Sequence, residues 1–227
     1  MVAQCGAAVQ GTVLRLVKLN TCGAPVTGAS SAVVVTEGYI SVTPEPQYED
    51  GDKFRTKKAN GLLCINKVGP NIYANSNVGV LFCVLDPDAS SIVTGSRLIT
   101  TGSATGTGAA YGYNNAAAHF SLETWQPIAG QGACDPVTGL QRYVYWAWPH
   151  VFNAKVNSFT IENGPLQLGF TAMTDYPSPL WGDGPGTGTS WLPAAIDTSV
   201  YFDDFLWNIT TTAPPTAPTV CGAFLLT

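Results

Sequence analysis

The sequence predicts a mainly β protein that carries one short α-helix. Short apolar runs rich in Val, Ile, Tyr and Phe alternate with turn segments, and the 227 residues include 24 Gly and 16 Pro. Such runs between Gly- and Pro-rich segments are typical of strands. Two Asn-Gly pairs, at 60–61 and 163–164, each predict a hairpin, because both residues tolerate a positive φ.

The first strands are predicted at the start of the chain. Residues 12–19, "TVLRLVKL", alternate weakly and precede a turn. Residues 31–46 predict two short strands that are broken near Gly38. Pro44 and Pro46 are expected to end the second of these strands, because proline cannot donate to a ladder.

A hairpin and a central strand are predicted next. Residues 49–67 contain a basic run, then Asn-Gly, then an apolar run, which is the pattern of a hairpin. Residues 78–86, "VGVLFCVLD", are apolar at both alternating sets of positions. A strand that is apolar on both faces is expected at the centre of a sheet.

The single helix is predicted immediately after this strand. Asp86 can cap its N-terminus, Pro87 suits the first helical position and Asp88 favours the positive end of the helix dipole. Gly95 can end the helix. The predicted helix is therefore only about two turns long.

The second half of the chain predicts further strands. We expect a flexible loop around 102–118, a strand at 119–125 and a last strand at 199–210. Residues 157–174 predict a second hairpin around Asn163-Gly164. In its first strand Phe159 and Ile161 precede the turn, and one face of its second strand carries the following apolar residues: Leu166, Leu168, Phe170 and Ala172.

Residues 143–150, "YVYWAWPH", form the most unusual predicted strand. One face would present Tyr143, Tyr145 and Ala147, and the other would present Val144, Trp146 and Trp148. Both faces are apolar and mostly aromatic, so both need cover. A second sheet or a neighbouring subunit could supply it.

The low charge density points to association. Charged residues make up 11% of the chain, against about a quarter in a typical domain, and hydrophobic residues make up 45%. A surface with so few charges favours self-association, so the composition predicts a subunit of a larger assembly. The net charge of −5 argues against tight binding to nucleic acid, which needs clustered cations.

Targeting signals are not evident. The segment "MVAQCGAAVQGTVLRL" lacks a basic start followed by an apolar run, so we expect no signal peptide. No apolar window is long enough to cross a bilayer, and we expect no membrane insertion. The expected site of synthesis is a cytoplasm.

The cysteines are scattered and form no Cys-x-x-Cys pair. We expect reduced and mostly buried thiols, although the even number leaves disulfides possible. The six residues are Cys5, Cys22, Cys64, Cys83, Cys134 and Cys221.

Catalytic and ligand-binding motifs are lacking. His119 and His150 are the only histidines, which leaves few routes to a catalytic triad or a metal centre. Asp203 and Asp204 are adjacent on a predicted strand, so their side chains diverge. We expect no enzymatic activity, no cofactor and no metal.

The tryptophans allow two interpretations. They could form a platform on which sugars stack, or they could anchor the core or a subunit interface. A sugar site also needs convergent polar side chains, which the sequence does not locate. The residues concerned are Trp146, Trp148, Trp181, Trp191 and Trp207.

Several segments in order resemble a known family. The turn "CGAPV" is followed by "GYISV", "KFRTKKANGLLCI" and "LDPDASSIVTG", and later by "YWAWPHVFNAKVNSFTIENGPLQLGFTAMT" and "SPLWGDGP". Together these segments resemble the major tail tube proteins of long non-contractile-tailed bacteriophages, especially those of actinobacteria. The resemblance covers nearly the whole chain and depends on the order and spacing of the segments.

The resemblance implies a fold and an assembly. The expected fold is a tail-tube-type β-sandwich with one short flanking helix, in which the inner sheets of six subunits form a continuous barrel in a hexameric ring. Residues 1–210 would form this single domain, and 211–227 a Pro-rich C-terminal extension.

The resemblance also implies a function in the virion tail, after assembly in the host cytoplasm. Stacked rings would form a tube that conducts the genome. The implied partners are other copies of the chain, the tape-measure protein, the tail terminator and the distal tail or baseplate proteins. DNA would pass through the lumen without specific binding, since a lining of acidic and neutral side chains does not trap it. The alternative is a carbohydrate-binding or adhesin β-sandwich module of a phage or bacterial surface.

Self-association candidates fall into two groups. The first group contains the aromatic anchors Trp146, Trp148, Trp181 and Trp207. The second group surrounds the predicted hairpin, where acids of one ring could pair with cations of the next. Its members are Glu45, Glu49, Asp50, Asp52, Lys53, Arg55, Lys57 and Lys58.

Overall fold

The computed structural model describes residues 7–26, 32–100, 106–112, 117–130, 132–161, 163–164, 167–175, 205–216 and 223–224. Within these ranges the chain is mainly β, as predicted, with a single helix. The elements are β1 (Ala7–Ala8), β2 (Val13–Leu19), β3 (Val33–Thr36), β4 (Tyr39–Glu49), β5 (Lys53–Lys57), β6 (Leu63–Val68), β7 (Ile72–Phe82), α1 (Pro87–Thr94), β8 (Arg97–Thr100), β9 (Gly106–Ala110), β10 (His119–Ala129), β11 (Tyr143–Val156), β12 (Leu168–Thr174), β13 (Leu206–Thr210) and β14 (Ala223–Phe224).

Ten of these strands form one large antiparallel sheet. Its order is β14-β3-β2-β10-β11-β12-β7-β4, with β1 added to β10 and β13 added to β11. The strands at its two ends are β14 and β4, and the sheet does not close into a barrel within the described chain. The β5–β6 and β8–β9 hairpins form two separate small sheets.

The sheet bends over its own core. Three strands, β11, β12 and β7, lie between β10 and β4 in the sheet, yet the hydroxyl of Tyr39 in β4 lies 2.8 Å from Thr124 Oγ1 in β10. Such a contact between distant strands requires the sheet to fold back on itself. The enclosed core draws side chains from β2, β3, β7, β10, β11 and β12.

The helix covers one part of this core. Ala89, Ile92 and Val93 are buried against the sheet residues. The Asp86 side chain accepts hydrogen bonds from the backbone N–H groups of residues 88 and 89, and Gly95 ends the helix at a φ of 68°. The prediction of a short helix capped at both ends is confirmed.

The aromatic strand β11 is covered on both faces within one chain. Trp148 packs in the main core, while Tyr145 and Ala147 belong to a second buried cluster with Trp125 and Leu206. The first part of β11 pairs with β10 on one side and with β13 on the other. Cover for this strand therefore comes largely from the chain itself.

A buried ion pair lies on the second face. Both the Nε and the Nη2 of Arg15 donate to Oε2 of Glu123, at 3.1 and 2.5 Å. Both residues are buried, and the Arg15 guanidinium lies 5.7 Å from the ring centroid of Trp125. Burial raises the pKa of Glu123, while Arg15 and the Tyr145 hydroxyl lower it.

Two predicted strand ends are wrong. Strand β4 continues through Pro44 and Pro46 to Glu49, because it is the last strand of the sheet and an edge strand tolerates proline. The central strand β7 begins at Ile72 and ends at Phe82, ahead of the predicted end, because the following residues turn into the helix cap.

Two predicted connections also differ. Part of the predicted loop 102–118 is strand β9, which pairs with β8. Residues 157–161 form no strand, and Phe159 and Ile161 are exposed. The hairpin is instead formed by β11 and β12 with a longer connection, although Leu168, Phe170 and Ala172 are buried on one face as expected.

The expectation of mostly buried thiols is wrong for four cysteines. Cys22, Cys64, Cys83 and Cys134 are exposed and free. They lie in turns, in the β5–β6 hairpin and just after β7, and none occupies an inward-facing core position. Cys5 and Cys221 lie outside the described residues, as do Trp181, Trp191 and the Asp203-Asp204 pair.

The C-terminal extension returns to the sheet. Residues 211–216 form neither helix nor strand, and β14 then pairs with β3 through the Ala223–Val34 and Phe224–Val33 positions. The extension therefore supplies the last strand at one end of the sheet.

Candidate self-association surface

The β5–β6 hairpin, residues 53–68, is exposed along its whole length, and we call it the arm. Every residue from Lys53 to Val68 is exposed. The arm forms a two-stranded sheet of its own and pairs with no other strand among the described residues. An isolated two-stranded hairpin is marginally stable in water, so an arm of this kind gains from a surface to pack against.

Local sequence explains how the arm forms. The Asn60-Gly61 turn has Gly61 at a φ of 82°, and the backbone N–H of Lys58 donates to the carbonyl of Leu62 at 2.7 Å. At the base, a side chain on Gly51 would collide with the carbonyl of Gly69. The two strands of the arm are thus joined by a tight turn at one end and approach each other closely at the other.

The arm exposes apolar side chains that a monomer would be expected to bury. They lie on β5, β6 and the turn between them, and each is exposed by at least half. The set is Phe54 (58%), Leu62 (63%), Leu63 (51%), Ile65 (51%) and Val68 (52%). Several exposed apolar side chains on one short hairpin are typical of a protein interface.

The arm also concentrates positive charge. Five of the ten Lys and Arg residues of the chain lie between 53 and 68, and no acidic residue does. The rest of the chain has five cations against fifteen acids, a net charge of −10. The arm of one copy is therefore complementary in charge to the body of another.

The strand register mixes the two kinds of side chain. Lys53 is opposite Val68, and Phe54 is opposite Lys67. Directly opposite residues in an antiparallel pair point to the same face, so each face of the arm carries both charge and apolar area. An interface with either face would bury both.

The acids near the arm include one local ion pair. Lys53 Nζ lies 2.7 Å from Asp50 Oδ2. The hydrogen bond from Lys53, followed by its charge, holds the pKa of Asp50 below its usual value. Both partners are exposed, and such a pair contributes little to stability. Arg55, Lys57 and Lys58 form no salt bridge with any other described residue.

The remaining acidic candidates lie before the arm. Glu45 and Glu49 are exposed on β4, and Asp52 is exposed at the base of the arm. They precede the cationic strand β5 in the sequence. Pairing between copies stays a prediction.

The aromatic candidates are separate from the arm. Trp146 is half-buried, Trp148 is 2% exposed and Trp207 is 58% exposed. The rings of Trp146 and Trp148 stack with centroids 6.4 Å apart, and the ring of Trp207 is tilted against Trp146 with centroids 6.1 Å apart. Of these three, only Trp207 is mostly exposed.

The sequence prediction missed the apolar half of the arm. The cations Lys53, Arg55, Lys57 and Lys58 were predicted, but the exposed apolar residues around them were not. One signal was available, because residues 62–65, "LLCI", follow the Asn-Gly turn with no polar residue between them.

The two histidines contact each other at a different place. His119 Nδ1 lies 2.9 Å from His150 Nε2, next to the point where β12 ends. Burial, followed by the charge of His150, lowers the pKa of His119, and Asp175 partly opposes this shift.

The comparisons with known proteins are negative. No protein-family model matches the chain, and no curated protein matches it significantly.

Within the described ranges, no group of three or more His, Cys, Asp or Glu side chains is placed to hold a metal ion. The described part of the chain also contains no helix of the length and apolarity needed to span a membrane.

Proposed function

We propose that this protein is a structural virion subunit that self-assembles into stacked hexameric rings and forms the tail tube of a long non-contractile-tailed bacteriophage. The observation that carries the proposal is the exposed arm, which is both apolar and cationic. The resemblance of the sequence to tail tube proteins supports the more specific part of the proposal.

The arm provides the attraction between copies. Its five exposed apolar side chains lose contact with water when they pack on another subunit, and full burial of one such side chain contributes about 1.5–3 kcal/mol. Its five cations meet a body whose net charge is −10. Because such attraction between charged surfaces raises the association rate and orients the partners, the arm favours a second copy over a neutral surface.

The edge strand β4 is a weaker candidate surface for association between copies. It ends the large sheet and leaves one side of an 11-residue strand open to another strand. Pro44 and Pro46 lack backbone N–H groups, so a strand added along β4 would form fewer hydrogen bonds. The continuous barrel is inferred from the resemblance, and association through the arm does not require such a barrel.

Genome conduction by such a tube would be passive. A body with a net charge of −10 repels the DNA backbone and does not retain it. The tape-measure protein would occupy the lumen during assembly, and the terminator and distal tail proteins would cap the ends. We expect the lumen potential to be negative or close to zero.

Negative-stain electron microscopy of the purified protein tests the proposal. Hollow rings or tubes at high protein concentration are expected. A monomer at every concentration, measured by size-exclusion chromatography with light scattering, would contradict self-assembly. Filaments or rings that lack a central channel would contradict the tail tube.

A charge-reversal pair tests the arm itself. The double substitution Lys57→Glu and Lys58→Glu should prevent assembly or raise the protein concentration that it requires. The matched control is Lys18→Glu with Lys155→Glu, which changes two exposed lysines outside the arm by the same charge. Equal loss of assembly in both proteins would show that net charge, and not the arm, controls association.

A further inference from the structure

A cavity lies at the open end of the main core, between β4 and the β10–β11 pair. Its volume is about 390 Å³, within the range of 300–1,000 Å³ that small-molecule sites occupy. One wall contains residues of β4, among them Tyr39 and Ser41. The opposite wall contains Thr124 and Gln126 of β10 with Trp146 and Trp148 of β11.

The aromatic wall of the cavity consists of two indole rings. The rings of Trp146 and Trp148 are nearly parallel, with 13° between their planes. The indole N–H of Trp146 donates to Gln126 Oε1 at 3.0 Å, whereas the indole N–H of Trp148 is buried and donates to no described residue. Because its nitrogen is inaccessible, the Trp148 ring supplies apolar contact, and not a hydrogen bond, to the wall of the cavity.

Polar groups of several kinds converge on the same space. Because Gln126 accepts from Trp146 through its oxygen, its amide NH₂ group remains as a donor on this wall. Tyr39 and Thr124 form a hydroxyl pair at 2.8 Å that joins the two walls. Ser41 adds a third hydroxyl. No charged side chain occurs among the described residues of the lining.

One glycine sets the shape of the cavity. Gly11 also lines it, and a Cβ atom at this position would collide with the hydroxyl of Tyr39. The absence of a side chain therefore lets the Tyr39 ring reach across to Thr124. The wall of hydroxyl groups depends on this close approach.

We propose that this cavity binds a neutral saccharide ring. The apolar C–H face of a pyranose packs on an indole, and its hydroxyl groups both donate and accept hydrogen bonds, as this mixed lining requires. A lining without charge would leave a phosphate or carboxylate without a counter-charge, so anionic ligands are disfavoured. The inference is independent of self-assembly, because the arm contributes no residue to the cavity.

Titrations with three neutral probes test the proposal. Maltotriose, cellotriose and chitotriose are each added to the wild-type protein, and binding is followed by tryptophan fluorescence and by saturation-transfer difference NMR. At least one probe should bind saturably and show transfer to its ring protons. Adenosine serves as a neutral aromatic probe.

Three substitutions locate the site. Ser41→Phe fills the mouth of the cavity from a partly exposed position and should weaken binding at least tenfold. Trp148→Phe keeps an aromatic ring but shrinks the apolar wall of the cavity, and should weaken binding about fivefold. Phe159→Leu changes an exposed aromatic residue that does not line the cavity, and should leave binding within twofold of wild type.

The outcomes separate clearly. Failure of all three saccharides to saturate, binding of adenosine alone, or undiminished binding by Ser41→Phe would each overturn the proposal. Thermal unfolding of each variant confirms that it is folded. Electron microscopy of the same samples measures self-assembly separately. Loss of saccharide binding with intact tubes would overturn this inference alone, and loss of tubes with intact binding would overturn the proposed function alone.

Discussion

Truncation of the arm's apolar side chains should weaken assembly without unfolding the subunit. The perturbation is the double substitution Phe54→Ala and Ile65→Ala. These side chains are 58% and 51% exposed in the single chain, so about half of their burial free energy is still available for an interface. Because full burial of each contributes about 1.5–3 kcal/mol, the double substitution should weaken each interface made by an arm by about 1.5–3 kcal/mol.

The assay measures the protein concentration at which assembly begins. Each 1.4 kcal/mol corresponds to a factor of ten in an equilibrium constant, so we expect an increase of about 10- to 140-fold in this concentration. Light scattering over a dilution series gives the value, and electron microscopy confirms the morphology. Urea unfolding should show nearly unchanged subunit stability, since exposed side chains contribute little to it.

The control removes similar apolar area elsewhere. Val137 is 90% exposed and Ile161 is 84% exposed, and neither belongs to the arm. The double substitution Val137→Ala and Ile161→Ala should shift the assembly concentration by less than about threefold, which corresponds to 0.7 kcal/mol. If the arm and control variants assemble alike, the reasoning from arm exposure is refuted.

Three further predictions concern stability. Glu123→Gln should cost about 3–5 kcal/mol in urea unfolding, because it leaves the buried Arg15 cation without its counter-charge, and a loss below about 1 kcal/mol would contradict this. Burial and the neighbouring His150 lower the pKa of His119, so the unfolded chain binds more protons below its usual pKa of 6.5. The free energy of unfolding should therefore fall as the pH falls through this window, and His119→Asn should flatten the dependence between pH 7.5 and 5.5. Asp86→Ala should cost about 1 kcal/mol through loss of the helix cap, whereas Asp86→Asn should keep most of it.

The sequence predicted the features that depend on near neighbours. The helix from 87 to 94 follows from a capping Asp, a Pro at the first helical position and a terminal Gly, all within ten residues. The arm turn follows from Asn60-Gly61, whose positive φ needs no tertiary contact. The cationic half of the candidate surface was also visible, because charge is a property of composition.

The sequence misjudged features that depend on a position in the sheet. Pro44 and Pro46 would end an inner strand, but they lie within β4 because that strand is at the edge. Phe159 and Ile161 alternate like strand residues and yet remain outside the sheet. Strand propensity alone does not indicate which segments find a partner.

Burial was decided only by the tertiary structure. Trp148 and Phe54 are both large aromatic residues in strand-like runs, yet Trp148 is 2% exposed and Phe54 is 58% exposed. The difference arises because Trp148 belongs to a core cluster with residues distant in sequence, on β7, β12 and α1, whereas the arm pairs with no other strand of the described chain. Composition determined that hydrophobic residues far outnumber charged ones. The bend of the sheet determined which hydrophobic side chains stay exposed, because burial depends on contacts that no local pattern encodes.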